Sequence, residues 1–157
     1  MTIHLSGPAS QLYINGHWDF PAQMGRGVGF VYAIVDKIQK KGYIGRKNYK
    51  VATGYRKGAS SDWHNYCSSS ASLERHMTGR NIKDFEFIAL EEYATLATLG
   101  FAETWSQVMT GVAVNPNWLN TRIEEVRWAC AEPITSRHIE RLRAVSKRIP
   151  GGPEWVI

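Results

Sequence analysis

Two tyrosines, Tyr32 and Tyr43, stand eleven residues apart in the stretch GFVYAIVDKIQKKGYIGRK, residues 29–47, and positive charge gathers around them. Between residues 36 and 58 the cations are Lys37, Lys40, Lys41, Arg46, Lys47, Lys50, Arg56 and Lys57, against one acid, Asp36. A free phenol has a pKa near 10. Neighbouring cations lower it, which suits the group to taking a proton or to positioning a water or a phosphate oxygen. From these residues alone two readings stay open. They are ordinary strand tyrosines with satisfied hydroxyls, or a pair of phenols in a site that handles a polyanion.

The charge pattern bears on that choice. A second basic cluster, Arg137, Arg141, Arg143, Lys147 and Arg148, contains Glu140, while acids gather at Glu86, Glu91, Glu92, Glu103, Glu124 and Glu125. Such segregation fits a surface where Lys and Arg displace counterions from phosphates; a solvated basic loop is the alternative. The 157 residues, with 43% hydrophobic and 11% aromatic content and a net charge of +5, suit one folded domain with a short appendage. No run of 18 apolar residues occurs, so a membrane-spanning helix is not expected. The opening MTIHLSGPASQ lacks the basic start and apolar stretch of a signal peptide. Cys67 and Cys130 are too few and too far apart for a disulfide scaffold or zinc knuckle. Both read as small buried residues in a cytoplasmic protein.

The elements that must position the tyrosines follow from periodicity and turn signals. Asn15-Gly16 within LYINGHW predicts a small hairpin in an N-terminal arm, residues 1–27. Residues 28–36 are β-branched and aromatic and read as a strand, KIQKK as a turn, and 42–47 as its antiparallel partner. Residues 48–68 form a long loop. Serine caps predict a short helix over 70–78, and 83–90 a third strand. A helix over 93–110 ends at Gly111. Further helices are expected over 121–131 and 136–148, the second with Ile139, Leu142, Val145 and Ile149 at helical spacing and its cations facing outward. The fold class is α+β: a small three-stranded antiparallel sheet flanked by helices. It occupies residues 28–131, followed by a basic helix and tail over 132–157. On the 93–110 helix, Glu103 shares a face with Leu96, Leu99, Gly100 and Gln107, which leaves its exposure open.

The tyrosine strings resemble the paired motifs of the GIY-YIG nuclease family. Tyr43-Ile44-Gly45 matches in full. Phe30-Val31-Tyr32 keeps the tyrosine and the β-branched middle residue, with Phe30 where the family has glycine and Gly29 one place earlier. Trp63, Tyr66, Ser69 and Ser70 resemble a Trp-x-x-Tyr, serine-rich signature of a phage-encoded branch, with Ser68 where a glycine is usual. The resemblance covers residues 28–122. It implies a metal-dependent endonuclease of phage or mobile-element type that hydrolyses DNA phosphodiester bonds with Mg²⁺ or Mn²⁺. A catalytically inactive nucleic-acid-binding protein on the same fold is the alternative.

By the resemblance, Glu103 is the metal ligand, and Tyr32 activates water once Arg46, Lys47 and the ion lower its pKa. Tyr43 positions water or phosphate. Arg46 with His64 supplies the catalytic arginine and histidine; Arg75 with His76 is the competing choice. Lys47, Ser70, Arg75 and Asn120 would hold substrate, Asn120 doubling as a possible helix N-cap. Outside the resemblance, Arg141 and Lys147 are expected to follow the DNA backbone.

Overall fold

All eight residues of strand β2, Gly29–Asp36, are buried. A strand covered on both faces has no reason to alternate apolar with polar, and GFVYAIVD does not. Phe30, Tyr32 and Ile34 face one way, into a cluster with Trp18, Cys67, Leu73, Met77, Phe85 and Phe87. Val31, Ala33 and Val35 face the other, toward Leu99, Ala102, Trp118, Leu142, Val145 and Ile149.

The computed structural model describes residues 17–21, 24–123 and 132–156. The hairpin expected at Asn15-Gly16, Cys130 and most of the helix expected over 121–131 lie outside these residues; 121–123 are not helical. Strand β3, Lys41–Asn48, pairs antiparallel with β2 from Gly29 opposite Asn48 to Asp36 opposite Lys41. The connecting turn is built on Asp36, whose Oδ1 accepts from the amides of Ile38 and Gln39 at 2.9 Å each. Lys40 closes it with φ +57°. The Asp36 carboxylate also takes His76 and Arg80, tying helix α1, Ala71–Met77, to the end of the sheet. Burial favours the neutral acid there, but these donors outweigh it and hold Asp36 well below the usual carboxylate range.

Among the described residues the sheet has four strands and is mixed, where three antiparallel strands were expected. β4, Phe85–Tyr93, flanks β2 on its other side, with one extra residue bulging near Val31 and Tyr32. β1, Trp18–Asp19, runs parallel to β4 and gives the order β1-β4-β2-β3. Two residues carry no periodicity to read. Burial of Trp18 makes the strand, with its indole N–H donating to the Trp63 carbonyl at 2.8 Å.

Helices α2, Leu96–Thr110, and α3, Ser136–Ser146, cover the Val31 face. Thr95 caps α2, and Gly111 ends it in the left-handed conformation. On α3 the buried stripe is His138, Leu142, Val145 and, just beyond, Ile149. Arg141 does not face outward as the helical spacing suggested. Its guanidinium reaches back to the Ala89 carbonyl at 2.7 Å and to Asp19 at 3.1 Å, joining α3 to β4 and β1. Arg137 similarly pairs with buried Glu91, and Arg148 with Glu86. No helix among the described residues is long and apolar enough to cross a membrane.

His138 has no solvent exposure and joins three elements. Ser106 gives its proton to the Ala102 carbonyl, so it accepts from the His138 Nε2–H, and Tyr93 donates to Nδ1, both at 2.8 Å. Burial lowers the imidazole's pKa to about 4. The unfolded chain, with an ordinary value near 6.5, therefore takes a proton first as pH falls. The contribution of His138 is whole above pH 6.5 and drains away toward pH 4. Acidification from pH 7 to pH 5 should cost about 2 kcal/mol at this residue. Urea midpoints across that interval check it, and an unchanged midpoint refutes it.

Candidate active site

Strand β3 is the outer strand of the sheet, and the site forms where both layers reach past its edge. A cleft of about 410 Å³ opens there. Tyr32 and Tyr43 line it from the sheet, Arg46 from the end of β3, and Ser70, Ser72 and Arg75 from α1 and its cap. Tyr66 and Ser69 come from the preceding loop, Glu103 and Gln107 from α2, and Asn120, Thr121 and Arg122 from the segment after it.

The glycine of Tyr43-Ile44-Gly45 is a matter of space. Gly45 lies opposite Tyr32 in the ladder. A Cβ at Gly45 would stand 2.6 Å from the Tyr32 hydroxyl, 2.7 Å from its ring and 2.9 Å from the Tyr43 ring. The missing side chain lets the Tyr32 ring cross β3 and bring its hydroxyl to the cleft. The Tyr32 and Tyr43 ring centroids lie 6.2 Å apart, and Tyr66 meets Tyr32 edge-on at 6.2 Å. Lys47 lies over the Tyr66 ring, 3.7 Å from its centroid, and also bonds Asp62 at 2.8 Å.

The side chains around Tyr32 do not supply their share of the expected lowering of its pKa. The side chain is 1% exposed. Desolvation, then the nearby Tyr66 and Tyr43 phenols, push its pKa well above 10, and a hydrogen bond with Ser68 only partly offsets them. Tyr43 is also raised, by burial first and by the Glu103 charge among lesser causes. Arg46 turns to Glu103, and Lys47 to Asp62 and Tyr66, so neither acts on Tyr32 as expected.

Glu103 is 5% exposed on α2, and its Oε2 lies 3.3 Å from Arg46 Nε. Gly100, one turn earlier, makes this approach possible, because a Cβ there would collide with Arg46 Nη1. Gln107, one turn later, donates to Glu103 Oε1 at 3.5 Å and to the Ile44 carbonyl at 3.3 Å. Asn120 clasps the same residue. Its Oδ1 accepts from the Ile44 amide at 3.0 Å, and its Nδ2 donates to the Ile44 carbonyl at 2.7 Å.

Glu103 is the sole carboxylate among the described residues lining the cleft, and hydroxyl-bearing side chains make up half of that lining. That donor set fits Mg²⁺ or Mn²⁺, hard ions that bind through few carboxylates and keep water and phosphate oxygens. No group of three or more His, Cys, Asp or Glu suited to caging a metal occurs among the described residues.

The cleft thus gathers Tyr32, Tyr43, Arg46, Ser70, Arg75, Glu103 and Asn120. Other sequence candidates lie elsewhere. His64 stacks on Trp63 with centroids 3.6 Å apart, away from the lining, and His76 bonds Asp36. Lys47 lines a neighbouring groove. Lys147 is exposed on the far layer, and Arg141 is held by Ala89 and Asp19. Sequence reading gave no role to Tyr66, Gly100, Gln107 or Arg122. Gln107 and Gly100 shared the helical face of Glu103, and Tyr66 sat in the serine-rich signature; nothing marked Arg122.

Residues 13–123 match a family model described as "Putative endonuclease segE, GIY-YIG domain". No curated protein and no solved structure gives a significant match.

The two glycines give opposite expectations. Gly45→Ala must displace a buried ring, so urea titration should show a loss of about 1–3 kcal/mol. Gly100→Ala must displace only the end of a half-exposed arginine, while alanine favours the helix by up to about 1 kcal/mol. Its melting temperature should hold or rise while Arg46 leaves Glu103. Equal destabilisation of both variants would contradict this account of the cleft.

Proposed function

The chain belongs to the GIY-YIG endonuclease-domain family, and on that premise we propose that it is a metal-dependent endonuclease cutting DNA phosphodiester bonds at the β3 edge. The observation carrying this reading is the convergence of Tyr32, Tyr43, Arg46 and Glu103, from three separate elements of the fold, on one polar cleft. The serine-rich Trp63–Ser70 signature favours an enzyme of phage or mobile-element type.

Glu103 would hold the divalent ion, which when bound supplies charge neutralisation and an acidified water. The protein groups divide the remaining work. With pKa values raised by burial, the Tyr32 and Tyr43 phenols stay protonated at neutral pH. They act as hydrogen-bond donors to water and phosphate oxygen, a different part from the base expected of Tyr32. Arg46, paired with Glu103 but 41% exposed at its side chain, can turn its other N–H groups to the phosphate. Arg75 and Arg122 add positive charge on the remaining walls. Fixed donors of this kind stabilise the charge that builds on the equatorial oxygens.

The test is cleavage of supercoiled plasmid with Mg²⁺ or Mn²⁺, with and without EDTA. Glu103→Gln should reduce the rate by roughly 10³-fold or more with DNA binding kept. Tyr32→Phe should lose roughly 10²- to 10³-fold, the usual cost of one transition-state donor, while still melting cooperatively, at most about 1–3 kcal/mol less stable because its hydroxyl also bonds buried Ser68. DNA binding without cleavage under any divalent ion would instead favour the catalytically silent reading, which the Phe30 substitution in the first motif keeps in view.

A further inference from the structure

The long loop after β3 is a built arm. Its root is fixed: the Tyr49 hydroxyl donates to Glu92 at 3.0 Å, the Ser61 hydroxyl to the Asn48 carbonyl at 2.6 Å, and the Ser61 amide to the Tyr49 carbonyl at 2.8 Å. Above the root the two limbs pair. Lys50 bridges Ser60 antiparallel, Val51 N donates to Ala59 O, and Gly58 N donates to Val51 O, both at 2.9 Å. Gly54 and Gly58, with φ of +80° and +86°, turn the chain at the tip. Tyr55 stands there fully exposed at 101%, followed by exposed Arg56 and Lys57.

A fully exposed tyrosine on a hydrogen-bonded arm has no folding role to explain it, and residues 48–61 contain no acid. The groove at the arm's base is lined by Arg46, Lys47, Lys50 and Arg56, with Asp62 the one acid at its rim. Arg46 also lines the catalytic cleft, so the two depressions share a wall.

We infer that residues 49–61 form a DNA-gripping arm that lies along duplex DNA beside the cleft. Lys50, Arg56 and Lys57 neutralise phosphates, and the Tyr55 ring contacts the bases or sugars between them. A two-stranded ribbon fits the major groove of B-form DNA. The combination of cations with one exposed ring supplies both backbone attraction and an apolar contact. This inference rests on the reading of DNA as the substrate. It adds which surface holds the DNA outside the chemistry.

The experiment is fluorescence anisotropy of a labelled duplex with the full chain in EDTA, at several salt concentrations. The triple variant Lys50→Gln, Arg56→Gln, Lys57→Gln should flatten the slope of log affinity against log salt by up to about 2.7 units. Tyr55→Ala should weaken binding about 5-fold, the worth of partly burying one aromatic ring against the groove, with its slope nearly unchanged. All four side chains are exposed, so the melts should match wild type. Cleavage with Mg²⁺ at saturating DNA should survive in both variants. A triple variant that binds with the wild-type slope overturns the arm. If wild type binds DNA but does not cut it, while the triple variant loses binding, the nuclease reading falls and the arm stands. If wild type does not bind duplex DNA, both fall.

Discussion

Two hydrogen bonds between the Asn120 carboxamide and the backbone of Ile44 hold the site together. β3 is the last strand of the sheet, and its outward amides and carbonyls need partners or water. Gly42 pairs with the backbone of Asn117 and Leu119. At Ile44 a side chain takes over, presenting an acceptor and a donor with the spacing of a peptide group. The clasp lays residues 117–120 along the edge and brings Thr121 and Arg122 to the cleft wall. Gln107 reaches the same carbonyl from α2, so the middle of the Tyr43-Ile44-Gly45 string is where edge segment, helix and strand are fastened. The string's outer members are freed for other tasks: Tyr43 faces the cleft, and Gly45 makes room for Tyr32.

Positive charge in this protein serves two separate ends. Arg80, Arg137, Arg141 and Arg148 pair with Asp36, Glu91, Asp19 and Glu86 and join helices or turns to strands. These arginines stitch the layers together and add little field outside. Lys50, Arg56 and Lys57 are exposed on the arm, and Arg75 is exposed at the cleft. The chain's net charge therefore says less than its allocation. The C-terminal cluster looks like a polyanion surface in one dimension, yet much of it is spent on internal carboxylates.

The central hairpin and, in the cleft, the two tyrosines and Glu103 were legible because their signals are local. β-branched runs mark β2 and β3, tyrosine spacing marks the two strings, and Glu103 falls one turn from a glycine on a helix. β1 was not legible, since two residues have no period and their pairing depends on where Trp18 finds an aromatic cluster. The part given to Arg46 and Lys47 beside Tyr32 was misjudged for a related reason. Cations near in sequence were assumed near in space, whereas Arg46 and Lys47 turn toward Glu103 and Asp62. The outward placement of Arg141 failed because a helical wheel shows which side is apolar. It cannot show that a backbone carbonyl of β4 waits within reach of a long side chain. His138, which a wheel would place only as one more polar residue, proved to be the buried link between Tyr93 and Ser106.

The cover of β2 also has a bearing on how the chain folds. Val31 and Val35 reach their packed state only when Leu142, Val145 and Ile149 arrive from the far end of the described sequence. The hairpin of β2 and β3 is local and can form early, but one of its faces waits on the closure of a very long loop. Contacts of such high sequence separation slow folding, because the entropy of closing the loop is lost before the contact rewards it. Until then α2 alone covers that face, and the most apolar strand of the molecule stays partly open on one side. Nascent and refolding chains therefore pass through a stage in which self-association competes with completion of the core.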